Sequence, residues 1–210
     1  MPDDTETITV YSDYVCPFCY LGRQALSAYQ EPRDEQLAIA WHHFDLRRQK
    51  RGPDGEIDHS IDDGKDEAYY DEVRENVAQL KEKYDAEAML GFDDVPDVDS
   101  FDAQAAASYV DVEHPDQWLA FDEALLEALW VDGRDIGDPD VVADLAERVG
   151  LDGDEIRGAI GDETNRQRLE EAFTSAQQAG VSGVPTFVYD GHAARGAVPP
   201  EHLRRLVEGA

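Results

Sequence analysis

Thr7-Ile8-Thr9-Val10-Tyr11-Ser12-Asp13-Tyr14-Val15-Cys16-Pro17-Phe18-Cys19-Tyr20-Leu21-Gly22 is the stretch on which the fold turns. Its first five residues alternate and are rich in β-branched side chains, which is the pattern of a strand. After a short link at 12–15, the apolar positions Phe18, Leu21, Ala25, Leu26 and Tyr29 recur at helical spacing. Pro17 suits the first helical turn, where a missing N–H costs nothing, and Glu31-Pro32 ends that helix. Leu37 to Phe44 reads as a second strand, so the chain opens β-α-β. Outward from there, 47–60 is polar, with Gly52-Pro53 and Asp54-Gly55 turns, and looks like an exposed connection. Helical periodicity then predicts helices over 66–84, 100–112, 115–129, 139–149, 153–159 and 163–179. Asp138 stands as an N-cap, and Gly150 and Gly180 stand where helices should stop. Thr186 to Tyr189 is a strand, Asp190-Gly191 a hairpin turn, and 192–197 its partner. Pro199-Pro200 open a last helix with Leu203, Leu206 and Val207 facing inward.

Cys16 and Cys19 are the chain's only cysteines, so no framework of disulfides exists and a close pair points to catalysis or metal binding. A strand leading into a helix places Cys16 at the helix N-terminus, where free N–H groups and the macrodipole favour a thiolate. Cys19, one turn on, can attack a mixed disulfide at Cys16 and release the substrate. Cys16 is thus the expected nucleophile and Cys19 the resolving thiol. Zinc is the bland alternative. It would need His42 or His43 as further ligands, and adjacent strand residues point to opposite faces, so the ligand count falls short.

The second motif is Gly180-Val181-Ser182-Gly183-Val184-Pro185-Thr186-Phe187-Val188, in which a proline opens a strand although it removes a ladder donor. Cys16-Pro17-Phe18-Cys19-Tyr20-Leu21-Gly22 resembles the Cys-Pro-Trp-Cys-Tyr-x-Gly signature of DsbA-like, FrnE-type disulfide oxidoreductases, with Phe18 replacing tryptophan. Ser182 to Phe187 is similar to their cis-proline strand. Phe121–Leu129 with Gly133-Arg134-Asp135-Ile136-Gly137-Asp138 resembles part of their helical region, and Gly196-Ala197 also fits. The resemblance spans nearly the whole chain. It implies an α/β thioredoxin-like fold with a large all-helical insertion, divided as 1–60, 61–179 and 180–210. It also implies a cis Pro185 against the cysteines, and pairing of the Val184 backbone with an extended substrate. The same superfamily holds 2-hydroxychromene-2-carboxylate isomerases and kappa-class glutathione transferases, which typically carry serine where Cys16 stands. Retention of both cysteines favours redox exchange. A glutathione-type isomerase or transferase, with Cys16 as a thiol-binding residue, is the alternative. The redox reading calls for a substrate protein or small-molecule disulfide or dithiol and a regenerating partner that the residues do not name. It calls for no metal or organic cofactor beyond the Cys16–Cys19 disulfide.

Around the pair, Pro17, Phe18, Tyr14 and Tyr20 are expected to line or pack the site. Asp13 is expected to cap the turn, with tuning of the thiol as the second reading. His59, His114, His192 and His202 read as solvated, and Trp41, Trp118 and Trp130 as core. The 48 acidic residues against 18 basic give a net charge of −30, spread from Asp3 to Glu208. That repels nucleic acid and argues for a salt-adapted protein, in which concentrated ions screen the repulsion. Only four lysines occur, at 50, 65, 81 and 83. No basic, apolar leader and no membrane-length apolar run is visible, so a cytoplasmic location is expected.

Overall fold

The computed structural model describes residues 6–52 and 55–209. Strand β1 (Thr7–Ser12) leads through helix α1 (Pro17–Gln30) to β2 (Ala38–His43). The chain then leaves the sheet for α2 (Glu67–Lys83), α3 (Phe101–Glu113), α4 (Pro115–Trp130), α5 (Pro139–Arg148), α6 (Gly153–Gly161) and α7 (Glu163–Gln178). It returns as the hairpin β3 (Thr186–Tyr189) and β4 (His192–Arg195), closed by α8 (Pro200–Glu208). The sheet order is β2-β1-β3-β4, with β1 and β2 parallel and the other pairs antiparallel. This is a thioredoxin-like α/β sheet carrying a large helical insertion.

Local chemistry accounts for the punctuation. Asp66, Asp138, Asp152 and Asp162 each cap a helix by accepting from backbone N–H groups two or three residues further along the chain. The hairpin turn has positive φ at both Asp190 and Gly191, the geometry that matches the twist of the flanking strands. Gln30 closes the end of α1 onto β2 by exchanging two hydrogen bonds with the Leu37 backbone.

Two apolar layers meet at α1. On its sheet side, Ala25, Leu26 and Tyr29 pack with Ile8, Val10, Phe187 and Leu203. On its other side, Tyr20 and Leu21 join the core of the insertion, with Phe121, Leu125, Leu129, Trp130 and Ile136. Helix α3 is the insertion's centre. It is buried nearly all round, and its run Ala103, Ala105, Ala106 and Ala107 lets neighbours approach closely. A further small cluster seats Ala176 of α7 and Val181 on Phe44, covering the opposite face of the sheet.

Several expectations are corrected. The segment 47–60 is not a merely exposed connection: Arg48–Lys50 forms a 3-10 turn, and Arg51 bridges to Ile57 and anchors inward. Two residues of its expected turns, Pro53 and Asp54, lie outside the described residues. Of the three tryptophans, Trp130 is fully buried, whereas Trp41 and Trp118 are only half-buried. Trp41 instead stacks under the Arg23 guanidinium at 4.1 Å. His114, expected to be solvated, pairs with Glu155 at 2.8 Å. Leu37 and Phe44 flank β2 without belonging to it, and β4 ends at Arg195.

Candidate active site

Cys16 is the N-cap of α1, in extended conformation, with Pro17 as the first helical residue. The turn is closed by Cys16 N–H donating to Asp13 O at 3.2 Å and Cys19 N–H to Cys16 O at 3.0 Å. Both cysteines are free and 3% exposed. The Cys16 thiol donates to the Val184 carbonyl at 3.4 Å, and the Val184–Pro185 peptide is cis. Two supports hold that second loop. Thr186 Oγ1 donates to Gly183 O at 2.7 Å, and Gly196 N–H donates to Pro185 O at 2.8 Å. Gly22 explains itself here: a Cβ at that position would lie 3.0 Å from Pro185 Cγ and 3.2 Å from Phe187 Cζ. The proline ring rests on α1 because residue 22 has no side chain.

Cys19 is deeper. Burial, then the neighbouring Cys16 sulfur, push its thiol well above the usual cysteine range, while the Ser12 hydroxyl and the Asp13 N–H pull the other way. Of the expected site residues, Cys16, Pro17, Phe18 and Val184 line a cleft of about 590 Å³. Cys19, Asp13, Tyr20 and Pro185 lie behind its wall. Tyr20 packs into the insertion core and not into the cleft.

Asp13 is more than a cap. Its carboxylate is 2% exposed and accepts from Val15 N–H at 3.3 Å, Leu46 N–H at 2.8 Å, Ser100 Oγ at 2.6 Å and Gln104 Nε2 at 3.2 Å. Burial raises its pKa to about 6, against the opposing hydrogen bond from Ser100. Tyr14 is pinned from another helix: its hydroxyl donates to Asp122 at 2.6 Å, and Trp130 Nε1 donates to its carbonyl at 2.7 Å. Asp122 also holds Arg23 in an ion pair. The turn before Cys16 is therefore gripped by α3 through Asp13 and by α4 through Tyr14. Sequence reasoning missed Ser100, Gln104 and Asp122. The signal was there in the last two: each is a polar residue inside an otherwise apolar helical face, where burial demands a partner.

The opposite wall of the cleft comes from 44–50 and from α2, with Tyr69, Tyr70 and Val73 beside Phe92. The Tyr69 phenol is raised by burial and then by the Cys16 sulfur it faces. His59, expected at the surface, is exposed and lines this rim. Arg51 braces the wall from behind, bonding Asp45 at 2.8 Å and Asp99 at 2.6 and 2.9 Å. Among the described residues, no group of three His, Cys, Asp or Glu side chains is placed to hold a metal ion. Among them, no helix is long and apolar enough to cross a membrane.

The uncharacterised protein YwbO of Bacillus subtilis is 28% identical over 207 residues, covering 97% of this chain and 96% of its own. A probable DsbA oxidoreductase from Streptomyces coelicolor superposes with a TM-score of 0.75 at 19% identity, over 97% of this chain and 89% of its own. A 2-hydroxychromene-2-carboxylate isomerase does so with a TM-score of 0.69 at 19% identity, over 91% and 89%. At these identities the two structures establish a shared fold. The profile of the DSBA-like thioredoxin domain matches residues 7–208, and the chain belongs to that family.

Proposed function

We propose that the protein exchanges disulfides through Cys16 and Cys19, with Val184 presenting its backbone to the substrate. The observation that carries this reading is the arrangement of two free thiols at the start of α1, with the Cys16 sulfur on the Val184 carbonyl and facing a cleft. The Cys16 thiolate attacks one sulfur of a substrate disulfide, forming a mixed disulfide and expelling one substrate thiolate. Cys19 then attacks the Cys16 sulfur, and the second substrate thiolate leaves with the electron pair. The protein dithiol is oxidised and the substrate reduced by two electrons; the reverse sequence oxidises a dithiol. Burial keeps Cys19 protonated until that step, so Cys16, the member of the pair that lines the cleft, reacts first. No metal or organic cofactor enters these steps. The cytoplasm, and a salt-rich one, is the setting that suits a −30 chain with a single cysteine pair.

The test is a redox titration at high salt, scored by thiol alkylation and mass. A reversible two-electron couple supports the reading; absence of any reversible disulfide sinks it. A potential near about −120 to −180 mV marks an oxidant or isomerase, and one near about −270 mV a reductase. Replacing Cys19 by serine is expected to trap mixed disulfides at Cys16. A thiol-binding isomerase would survive that change without accumulating them.

A further inference from the structure

Across the chain 48 acidic residues outnumber 18 basic ones, yet the cleft above Cys16 reverses the balance. Arg47, Arg48, Lys50 and Lys65 line it against three carboxylates, so two of the chain's four lysines stand there. Lys50 Nζ and Lys65 Nζ approach the same oxygen of Asp63, at 3.4 and 3.3 Å. One carboxylate thus serves two ammonium groups, and a positive charge is left over. Asp45 is taken up from behind by Arg51. The lysine side chains are 23% and 29% exposed and Asp63 10%, so this pair of cations is partly shielded and faces the cleft. Gathering like charges beside a nucleophile costs stability unless something anionic uses it.

We infer that Lys50 and Lys65 form a carboxylate-binding subsite, and that the substrate is a small disulfide bearing a carboxylate a few bonds from its sulfur. This rests on the oxidoreductase reading above and names its substrate class. A cleft of about 590 Å³ falls in the size range of small-ligand sites. Its apolar side, Phe18, Tyr69 and Phe92, receives the carbon skeleton while the lysines receive the charge. At molar salt the screening length falls to about 3 Å. Attraction at a distance then fails, and only contact pairing of this kind still selects an anion.

The experiment compares reduction of dithiodipropionate, hydroxyethyl disulfide and cystamine, which are anionic, neutral and cationic, at low and at molar salt with dithiothreitol recycling the protein. Lys50→Gln with Lys65→Gln is expected to lower kcat/KM for dithiodipropionate about tenfold, the scale of a lost charged hydrogen bond. Hydroxyethyl disulfide reduction should be unchanged, which also shows that the variant folds. Lys81→Gln with Lys83→Gln alters net charge equally but lies outside the cleft, and should leave all three rates alone. Lys50→Arg with Lys65→Arg should retain the anionic rate. If the first variant slows all three disulfides alike, or slows none, or if the control variant loses as much, the subsite is wrong while the redox reading stands. If the unaltered protein reduces none of the three, both fall together.

Discussion

On one side of the cleft, the positions of Cys16 and Val184 follow from backbone geometry: a helix N-terminus, a cis peptide, and a glycine under a proline ring. On the other side, Lys50, Lys65 and Tyr69 are placed by side-chain ion pairs and a loop strapped down by Arg51. The first wall contains the groups to which the proposed disulfide exchange assigns the making and breaking of bonds, and its geometry has little freedom to vary. The second contains the groups that the proposed carboxylate subsite assigns to the rest of the substrate. On the proposed reading, chemistry and selection are carried by different kinds of structure within one cleft.

The strongest way to break this division is to cut the strap. Arg51 is 9% exposed and Asp45 3% by side chain, so Arg51→Met leaves a buried carboxylate without its partner. The expected cost is about 3–5 kcal/mol, read as a lower urea midpoint. Hydrogen exchange should accelerate at 45–50 and leave β1 and β3 protected. A loss below about 1 kcal/mol would mean that the second wall stands without its ion pairs.

Asp13 joins the two walls, because its carboxylate bonds Leu46 at the root of the second and precedes Cys16 in the first. Its folded pKa is raised from 3.8 to about 6. The folded state therefore binds that proton more tightly than the unfolded chain, giving stability that is present below pH 4 and lost as pH rises through 6. Asp13→Asn removes this dependence. Relative to the unaltered protein the variant should gain about 3 kcal/mol between pH 4 and pH 7, on top of a pH-independent loss at the Leu46 N–H. His43 runs the other way: burial lowers it from 6.5 to about 4, so its contribution is full above pH 6.5 and lost as pH falls through 4. Urea denaturation of both proteins across that window measures the difference. A constant gap would show that Asp13 is not buried as a charge.

Gly22→Ala probes the first wall alone. The new methyl meets Pro185 and Phe187 at 3.0 and 3.2 Å, and neither can withdraw freely because the loop is tied at Thr186 and Gly196. Overpacking of this kind costs about 1–3 kcal/mol. Reactivity of Cys16 towards a neutral disulfide should fall with it, since Val184 shifts. An unchanged rate with reduced stability would separate the proline's packing role from its role at the thiol.

The two walls also differ in how far the sequence disclosed them. Cys16 and Pro17 sit in a short motif whose spacing places them at a helix start, so β-α-β, that turn and the hairpin were legible from pattern, whereas Gly22, Val184 and Pro185 were marked only by the family resemblance. In the second wall α2 was legible as a helix, but the loop at 47–60 was read as an exposed connection. Its order comes from contacts remote in sequence, such as Arg51 with Asp99, and no local pattern records those. Asp13 illustrates the limit between the two. Its capping of Val15 was visible in sequence, but its partners Ser100 and Gln104 lie on α3 and become neighbours only when the insertion folds back.

The smallest expected effect lies at the rim. Arg47 pairs with Asp97, whose side chain is 65% exposed, and water competes for both groups. Arg47→Gln should therefore cost about 0–1 kcal/mol at low salt and less at molar salt, measured by the urea midpoint in each condition. Arg51, only four residues along the same loop, is expected to cost several times more because its carboxylate partner Asp45 is buried. If Arg47→Gln proves as damaging as Arg51→Met, the rim is part of a rigid frame and the loop behaves as one cooperative unit. A small effect at Arg47 beside a large one at Arg51 would place the frame behind the wall and leave the rim free to differ with substrate.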